Sequence, residues 1–242
     1  MLFLHSALAA DLPKGLCENP RPMTDLRHCS FAGKLMPGVS LYGALLDGVD
    51  FSNARMPKCN LTNASLKKAD FKWALLAECK ISNADLTEAD LFHTTFDGSV
   101  MNNSVFIKAN MFGANLNEVV ATKSDFTDAY MKDIAMEESN LNGSFFNSCF
   151  MQRAVLIGSK LRNAKLNWTV ITGGALEDAD FTHADLSHSL LNGTRADNAI
   201  FRSAILQDTR FVNAVLIDAD FTGAKNVPQH LSDMLVKQRI KH

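Results

Sequence analysis

Residues 83–91 read Asn-Ala-Asp-Leu-Thr-Glu-Ala-Asp-Leu, and the two Ala-Asp-Leu triplets, ending at Leu86 and Leu91, lie five residues apart. Stepping outward by five gives forty positions from Leu26 to Phe221 without insertion or deletion, and all but Ala121 and Ala196 are Leu, Ile, Met or Phe. The residue two before each centre, from Thr24 to Ala219, is Ala, Ser, Thr, Cys, Gly or Val, apart from Lys34 and Ile134. A repeat at fixed period decides the architecture before any local reading does.

Five suits neither a helix nor a straight strand. On an α-helix it advances about 140° per repeat and scatters the centres around the cylinder, whereas on a strand an odd step sends successive centres to opposite faces. The chain must therefore turn once per repeat, with the centre and the small residue two before it pointing in. The result is a solenoid with a filled core. Asp50, Asp70, Asp85, Asp90, Asn110 and Asn115 precede centres, and Ser, Thr, Asn and Gly recur after them. These residues tolerate turns and satisfy nearby backbone groups with short polar side chains.

The units NADL (83–86), EADL (88–91) and DADF (178–181) resemble the pentapeptide-repeat family, over about 200 of the 242 residues. The resemblance implies an all-β solenoid, a right-handed quadrilateral parallel β-helix with four repeats to a 20-residue coil. Like centres recur at that spacing, as in Phe31, Phe51 and Phe71, or Phe181, Phe201 and Phe221. About ten coils are expected, at roughly 4.8 Å each a rod on the order of 45–50 Å long.

With 47% hydrophobic and 21% charged residues and a net charge of −2, the composition has no global bias toward nucleic acid or membrane. One elongated domain is expected, divided into an N-terminal segment (1–25), the β-helix (26–225) and a C-terminal capping helix (226–242). Solenoid ends expose strand edges and an open core, so they need caps. Pro228 suits a helix start; Leu231, Met234 and Leu235 form an apolar stripe, and Lys237, Arg239 and Lys241 sit where a helix end favours cations. These residues predict a helix from Gln229 to about Ile240. At the other end, residues 1–10 (MLFLHSALAA) finish in small residues like a signal-peptidase site but lack a positive n-region, as a truncated signal peptide would.

Cys17, Pro20, Pro22, Asp25 and Cys29 resemble the segment that leads into the first coil of secreted bacterial members, where a cysteine before the coil is matched by one within it. That resemblance implies a Cys17–Cys29 disulfide and a periplasmic or secreted protein; the alternative is a cytoplasmic one with free thiols. Cys29, Cys59, Cys79 and Cys149 all hold the small inward position, where Cys serves as a small hydrophobe. Cys59 and Cys79 stack one coil apart, but parallel inward side chains suit a bond poorly.

The sequence has no phosphate loop, CxxC, HExxH or nucleophile elbow, so no catalytic residue, metal site or cofactor is expected. Asp180, His183, Asp185 and His188 are dense in potential ligands, yet the register sends them to different faces. A filled convex rod also lacks the concave pocket that enzymes use. Lys34, at an inward position, must send its amine out through a distorted corner or pair it with a cap residue.

Two surface features exceed the repeat's own chemistry. One face carries Glu78, Asp97, Glu118, Glu137, Glu138, Glu177, Asp178, Asp197 and Asp218 against Arg55, Lys58 and Arg195, six more carboxylates than cations. Such a strip resembles the DNA-mimicking, quinolone-resistance members of the family, which occupy the DNA-binding saddle of gyrase. On the face centred on Phe31, Phe51 and Phe71, the outward position before the centre reads Tyr130, Phe150, Val170 and Leu190 on four successive coils, with Phe92 and Phe112 just beyond. Exposed apolar ladders mark contact surfaces, or else merely stabilise a sheet by cross-strand stacking. The expected function is a non-enzymatic scaffold that binds a protein partner or a second copy, without direct nucleic-acid binding or membrane insertion. An acidic inhibitor competing with DNA for a topoisomerase is the alternative, and an enzyme with an unrecognised surface site a distant third.

Overall fold

The structure, a computed structural model, describes residues 12–237, with side chains through Asp233. Parallel bridges join residue n to residue n+20 at every fifth position, from Asp25↔Leu45 to Ile205↔Lys225. One coil is therefore twenty residues with four sides. We number these sides by their centres: face 1 holds Leu46 and its relatives twenty residues on, face 2 Phe51, face 3 Met56 and face 4 Leu61.

The corners are turns running from one centre to the next small residue and closed by a hydrogen bond, as in Ala54 N to Phe51 O at 2.9 Å, except where Val119 N and Ser139 N donate instead to a serine hydroxyl of the next coil. The second turn residue has positive φ at every fifth position from Gly33 to Gly223. A type II turn demands that φ, which is why Gly and Asn recur there; Trp73 and Trp168 nevertheless adopt it at φ 60° and 63°. The polar residue before each centre is explained by the same turn. Asp50, Asp85, Asp125 and Asp220 each accept a hydrogen bond from the backbone N–H two residues on, at 2.8–3.0 Å, a local bond that pins the corner.

Every centre from Leu41 to Phe221 is buried, and like centres stack: Phe51 on Phe71 at 4.7 Å, and Phe106, Phe126 and Phe146 in a column at 4.9 Å steps. Polar residues at the small position are buried without cost in unmet hydrogen bonds. Thr94, Ser104, Ser139 and Thr169 donate to the carbonyl of a centre one coil earlier at 2.7 Å.

At the N-terminal end, Lys14 bridges Asp25, and Gly15 N donates to Asp25 O at 2.9 Å. Gly15 passes so close that a Cβ there would meet Leu26 Cδ2 at 2.5 Å. Cys17 and Cys29 are bonded across a Cα separation of 5.4 Å. This segment covers the end only in part: Lys34 is exposed, Leu35 is 71% exposed and Met36 is half-buried. The Lys34 amine thus leaves through the open end of the first coil, and no carboxylate pairs with it among the described residues.

The pairing of Cys59 and Cys79 departs from the sequence expectation. Their Cα atoms are 4.6 Å apart, about the rise of one coil, and their sulfurs are joined although both side chains point inward. The Cys79 sulfur also lies 3.0 Å from Met56 O, the place where Ser and Thr hydroxyls donate elsewhere.

At the C-terminal end, an α-helix, α1 (Gln229–Lys237), follows Pro228, whose carbonyl accepts the N–H of Leu231 and of Ser232. Leu231 is buried, and His230 Nε2 accepts the Phe211 N–H at 3.2 Å. The expected last residues to Ile240, like residues 1–10, lie outside the described residues. No helix among the described residues is long and apolar enough to cross a membrane.

Candidate interaction surface

Face 2 changes chemistry halfway along the rod. Its outward column runs Ser30, Asp50, Asp70, Asp90 and Asn110, then Tyr130, Phe150, Val170 and Leu190, and ends at Arg210. In the first half, Lys72 Nζ lies 3.0 Å from Asp70 and 3.1 Å from Asp90, and Asn110 donates to Asp90 at 2.9 Å. In the second half aromatic rings take over. Tyr130 stacks on Phe150 at 5.6 Å and 3°, Phe112 on Tyr130 at 6.1 Å, and Phe92 on Phe112 at 5.4 Å.

Phe92 and Phe112 occupy the turn position beside the column, so the stack runs diagonally across the face. Its rings lie face to face along the rod, which turns their edges outward. Tyr130 is 41% exposed and the other five strip residues are half-buried. Sequence reasoning missed two further members. Trp73 meets Phe92 edge-on at 5.5 Å, and His93 stacks on Trp73 at 4.3 Å while standing edge-on to Phe92 and Phe112. Their position twenty residues apart, beside Phe92, was the available signal. The second tryptophan, Trp168, stacks on His188 on face 1.

Face 3 carries the acidic set. Glu78 pairs with Lys58 at 3.6 Å, and Glu177 accepts from Arg195 Nε at 2.6 Å. The other seven carboxylates have no cationic partner among the described residues. Asp97 accepts from Asn115 Nδ2 and Asn117 N, both at 3.2 Å. Burial, with the Glu118 charge adding to it, holds the Asp97 carboxyl above its ordinary value despite the Asn117 hydrogen bond. Glu138 leans over Gly158, where a Cβ would lie only 2.7 Å from its carboxyl carbon.

The residues dense in metal-type ligands scatter, as the register implies. Asp180 is held by Arg162 and Thr182, Asp185 by Ser187, His183 stands on face 4 and His188 on face 1. Burial alone raises the Asp180 and Asp185 carboxyls, but these hydrogen bonds outweigh it and leave both lowered. Two open clefts stand out, both at the N-terminal end: one of about 410 Å³ lined by Cys17, Lys34, Met36 and Val39 among others, and one of about 680 Å³ lined by Lys14, Leu16, Glu18 and His28 among others.

Sequence comparison agrees with this register: the profile described as pentapeptide repeats matches residues 44–173 and 179–225, in eight overlapping copies. The chain belongs to the pentapeptide repeat family. Pentapeptide repeat proteins form right-handed quadrilateral β-helices, and the four-sided coil described above is of that kind.

Solved structures similar to it include HetL, a pentapeptide repeat protein involved in heterocyst differentiation regulation from the cyanobacterium Nostoc sp. strain PCC 7120, at 22% identity over 80% of this chain and 90% of that one, with a TM-score of 0.48. Full-length QnrB1, a plasmid-mediated fluoroquinolone resistance protein, is 15% identical over 87% of this chain and 99% of that one, with a TM-score of 0.38. A pentapeptide repeat protein from the Arabidopsis thaliana thylakoid lumen is 21% identical over 53% and 72%, with a TM-score of 0.22. A comparison with curated protein sequences gives no significant match.

Proposed function

We propose that this pentapeptide repeat protein is a non-enzymatic scaffold, a β-helix of about ten coils over residues 26–225, preceded by an N-terminal segment (1–25) that covers its first coil in part and followed by a capping helix within 226–242. It acts by binding a protein partner, or a second copy of itself, through the ladder on face 2. The observation that carries this reading is the stack Phe92, Phe112, Tyr130 and Phe150, continued by Val170 and Leu190, which starts beside the charged column of the N-terminal half, at Asp90, and presents aromatic edges to solvent as it runs into the C-terminal half of the face. Burial in an interface would remove this apolar surface from water at about 25 cal/mol per Å². The Cys17–Cys29 bond supports an oxidising compartment, periplasmic or secreted.

A second reading rests on the carboxylates of face 3, such as Glu118, Glu137, Glu138, Asp178 and Asp218. Without cationic partners among the described residues and spaced along a rod, they present the charge pattern of an acidic decoy for a DNA-binding groove, such as that of a type II topoisomerase.

Two variants separate the readings. Phe150→Asp places a carboxylate in the middle of the ladder, where burial in an interface is strongly unfavourable; Glu138→Lys reverses one charge on face 3. The scaffold reading expects Phe150→Asp alone to abolish self-association in light scattering or capture of a partner. The decoy reading expects wild type to inhibit gyrase supercoiling and Glu138→Lys to weaken that inhibition. If neither variant changes any binding, both readings fall.

A further inference from the structure

We propose that the N-terminal clip is also a metal site: when its disulfide is reduced, Cys17, His28 and Cys29 together bind one zinc ion, or a similar thiophilic divalent cation. The disulfide is then the oxidised, metal-free state of the same cluster.

Among the described residues this is the only group of three His, Cys, Asp or Glu side chains whose ligand atoms gather at one point, all within 4.8 Å of one another. One of the three ligand spacings already suits zinc. With Zn–S bonds of about 2.3 Å and Zn–N bonds of about 2.0 Å, a tetrahedral site holds its sulfur and nitrogen ligands about 3.5 Å apart. His28 Nε2 already lies 3.7 Å from Cys29 Sγ. The two sulfurs must part to roughly 3.8 Å by the same geometry, and their Cα separation of 5.4 Å allows this through side-chain rotation.

The placement of His28 is a local departure from the repeat. The second turn position is left-handed at every repeat from Gly33 to Gly223, but not at His28, although its turn is closed normally by Cys29 N to Leu26 O at 2.8 Å. The histidine therefore leaves the column of turn side chains and stands beside the sulfurs. Access is open as well. Cys17 is half-buried and lines both N-terminal clefts, and Glu18 lines them too, so water or the Glu18 carboxylate can take the fourth position.

The remaining cysteines have none of these properties. Cys59 and Cys79 are buried in the core, and Cys149 is a buried thiol that donates to Phe126 O at 2.7 Å and whose ionisation burial opposes.

The exchange balances with small-molecule thiols as the reductant, met by the chain before it reaches the oxidising compartment proposed above, where the clip rests in its disulfide state. Two R–SH convert the Cys17–Cys29 disulfide to two thiols and leave as R–S–S–R; zinc binding then releases the two thiol protons as both sulfurs coordinate. Oxidation by R–S–S–R reverses the sequence and expels the ion. Both states tie residue 17 to residue 29, so the clip keeps its place on the first coil while the metal load follows the redox state.

The test uses the full chain, reduced under anaerobic conditions with a phosphine and titrated with Co²⁺, whose thiolate charge-transfer and ligand-field bands report sulfur coordination. The proposal expects one equivalent bound, displaced by Zn²⁺, and none taken up by the oxidised protein. Cys17→Ser should abolish the bands. His28→Ala, which keeps both cysteines and so guards against a folding artefact, should weaken binding by more than the roughly 10–100-fold that loss of an outer partner costs. Cys149→Ala should change nothing. The proposal is overturned if the reduced chain gives no bands, if they survive Cys17→Ser, or if His28→Ala leaves the affinity unchanged.

Discussion

Phe145 and Phe146 are adjacent, chemically identical and on opposite sides of the wall, so truncating each to Ala tests the register directly. Phe146 is fully buried and stacks on Phe126 at 4.9 Å and 5°, whereas Phe145 is 40% exposed in the outward ladder between Asp125 and Lys165. Removing a buried Phe costs about 3–5 kcal/mol. The upper part of that range applies here, because the coil backbone is held by Phe146 N to Lys165 O at 2.7 Å and Phe126 N to Phe145 O at 2.7 Å, which keeps the walls from collapsing into the hole. Phe145 loses only a cross-strand contact, about 0.2–1 kcal/mol. At about 1.4 kcal/mol per tenfold, Phe146→Ala should raise the local opening equilibrium by roughly three to three and a half orders of magnitude. Amide hydrogen exchange should show the effect concentrated in the coils around residue 146, since a repeat protein loses structure locally, and a denaturant titration should reproduce the ranking. Equal losses for the two variants would refute the assignment of inside and outside.

Cys17→Ala, by opening a loop of 12 residues, should cost about 3 kcal/mol of local stability by the chain-entropy estimate. Exchange should quicken over residues 12–30 while the central coils stay protected, and a uniform loss would contradict a purely terminal clip. The Arg27 guanidinium, bonded to Asp25 at 2.9 and 2.6 Å, holds that carboxyl down at about 2. A depressed carboxylate contributes stability that is full above its ordinary 3.8 and is lost as the pH falls through about 2. Arg27→Ala should therefore move the Asp25 titration, followed by NMR, back toward 3.8, and an unmoved titration would show that Arg27 is not the cause. Leu231→Asp buries a carboxylate beneath α1 and should fray the last coil at a cost of about 3 kcal/mol or more; unchanged exchange there would show that the helix does not seal the core.

The five-residue period alone determined the solenoid, because no other arrangement puts Leu26 through Phe221 in one interior, and it also set which Asp and Asn would close the corners. Together with the four-repeat coil that the family resemblance implies, it located the ladder residues by column, since Tyr130, Phe150, Val170 and Leu190 are twenty apart. Three things depended on distances that a period does not contain. Whether Phe112 on a turn reaches Tyr130 on a wall is a matter of ring placement across a corner, so the continuity of the ladder was decided in three dimensions. The joining of Cys59 to Cys79, 4.6 Å apart at Cα, depends on the side-chain rotamers that turn the two sulfurs toward each other, which the register does not specify. His28 occupies an ordinary turn position in the register, and only its departure from the left-handed φ of every later turn brings its ring to the Cys17–Cys29 sulfurs. The repeat dictates what neighbouring coils do to one another, whereas at the ends, where a coil has one neighbour instead of two, tertiary contacts choose the conformation.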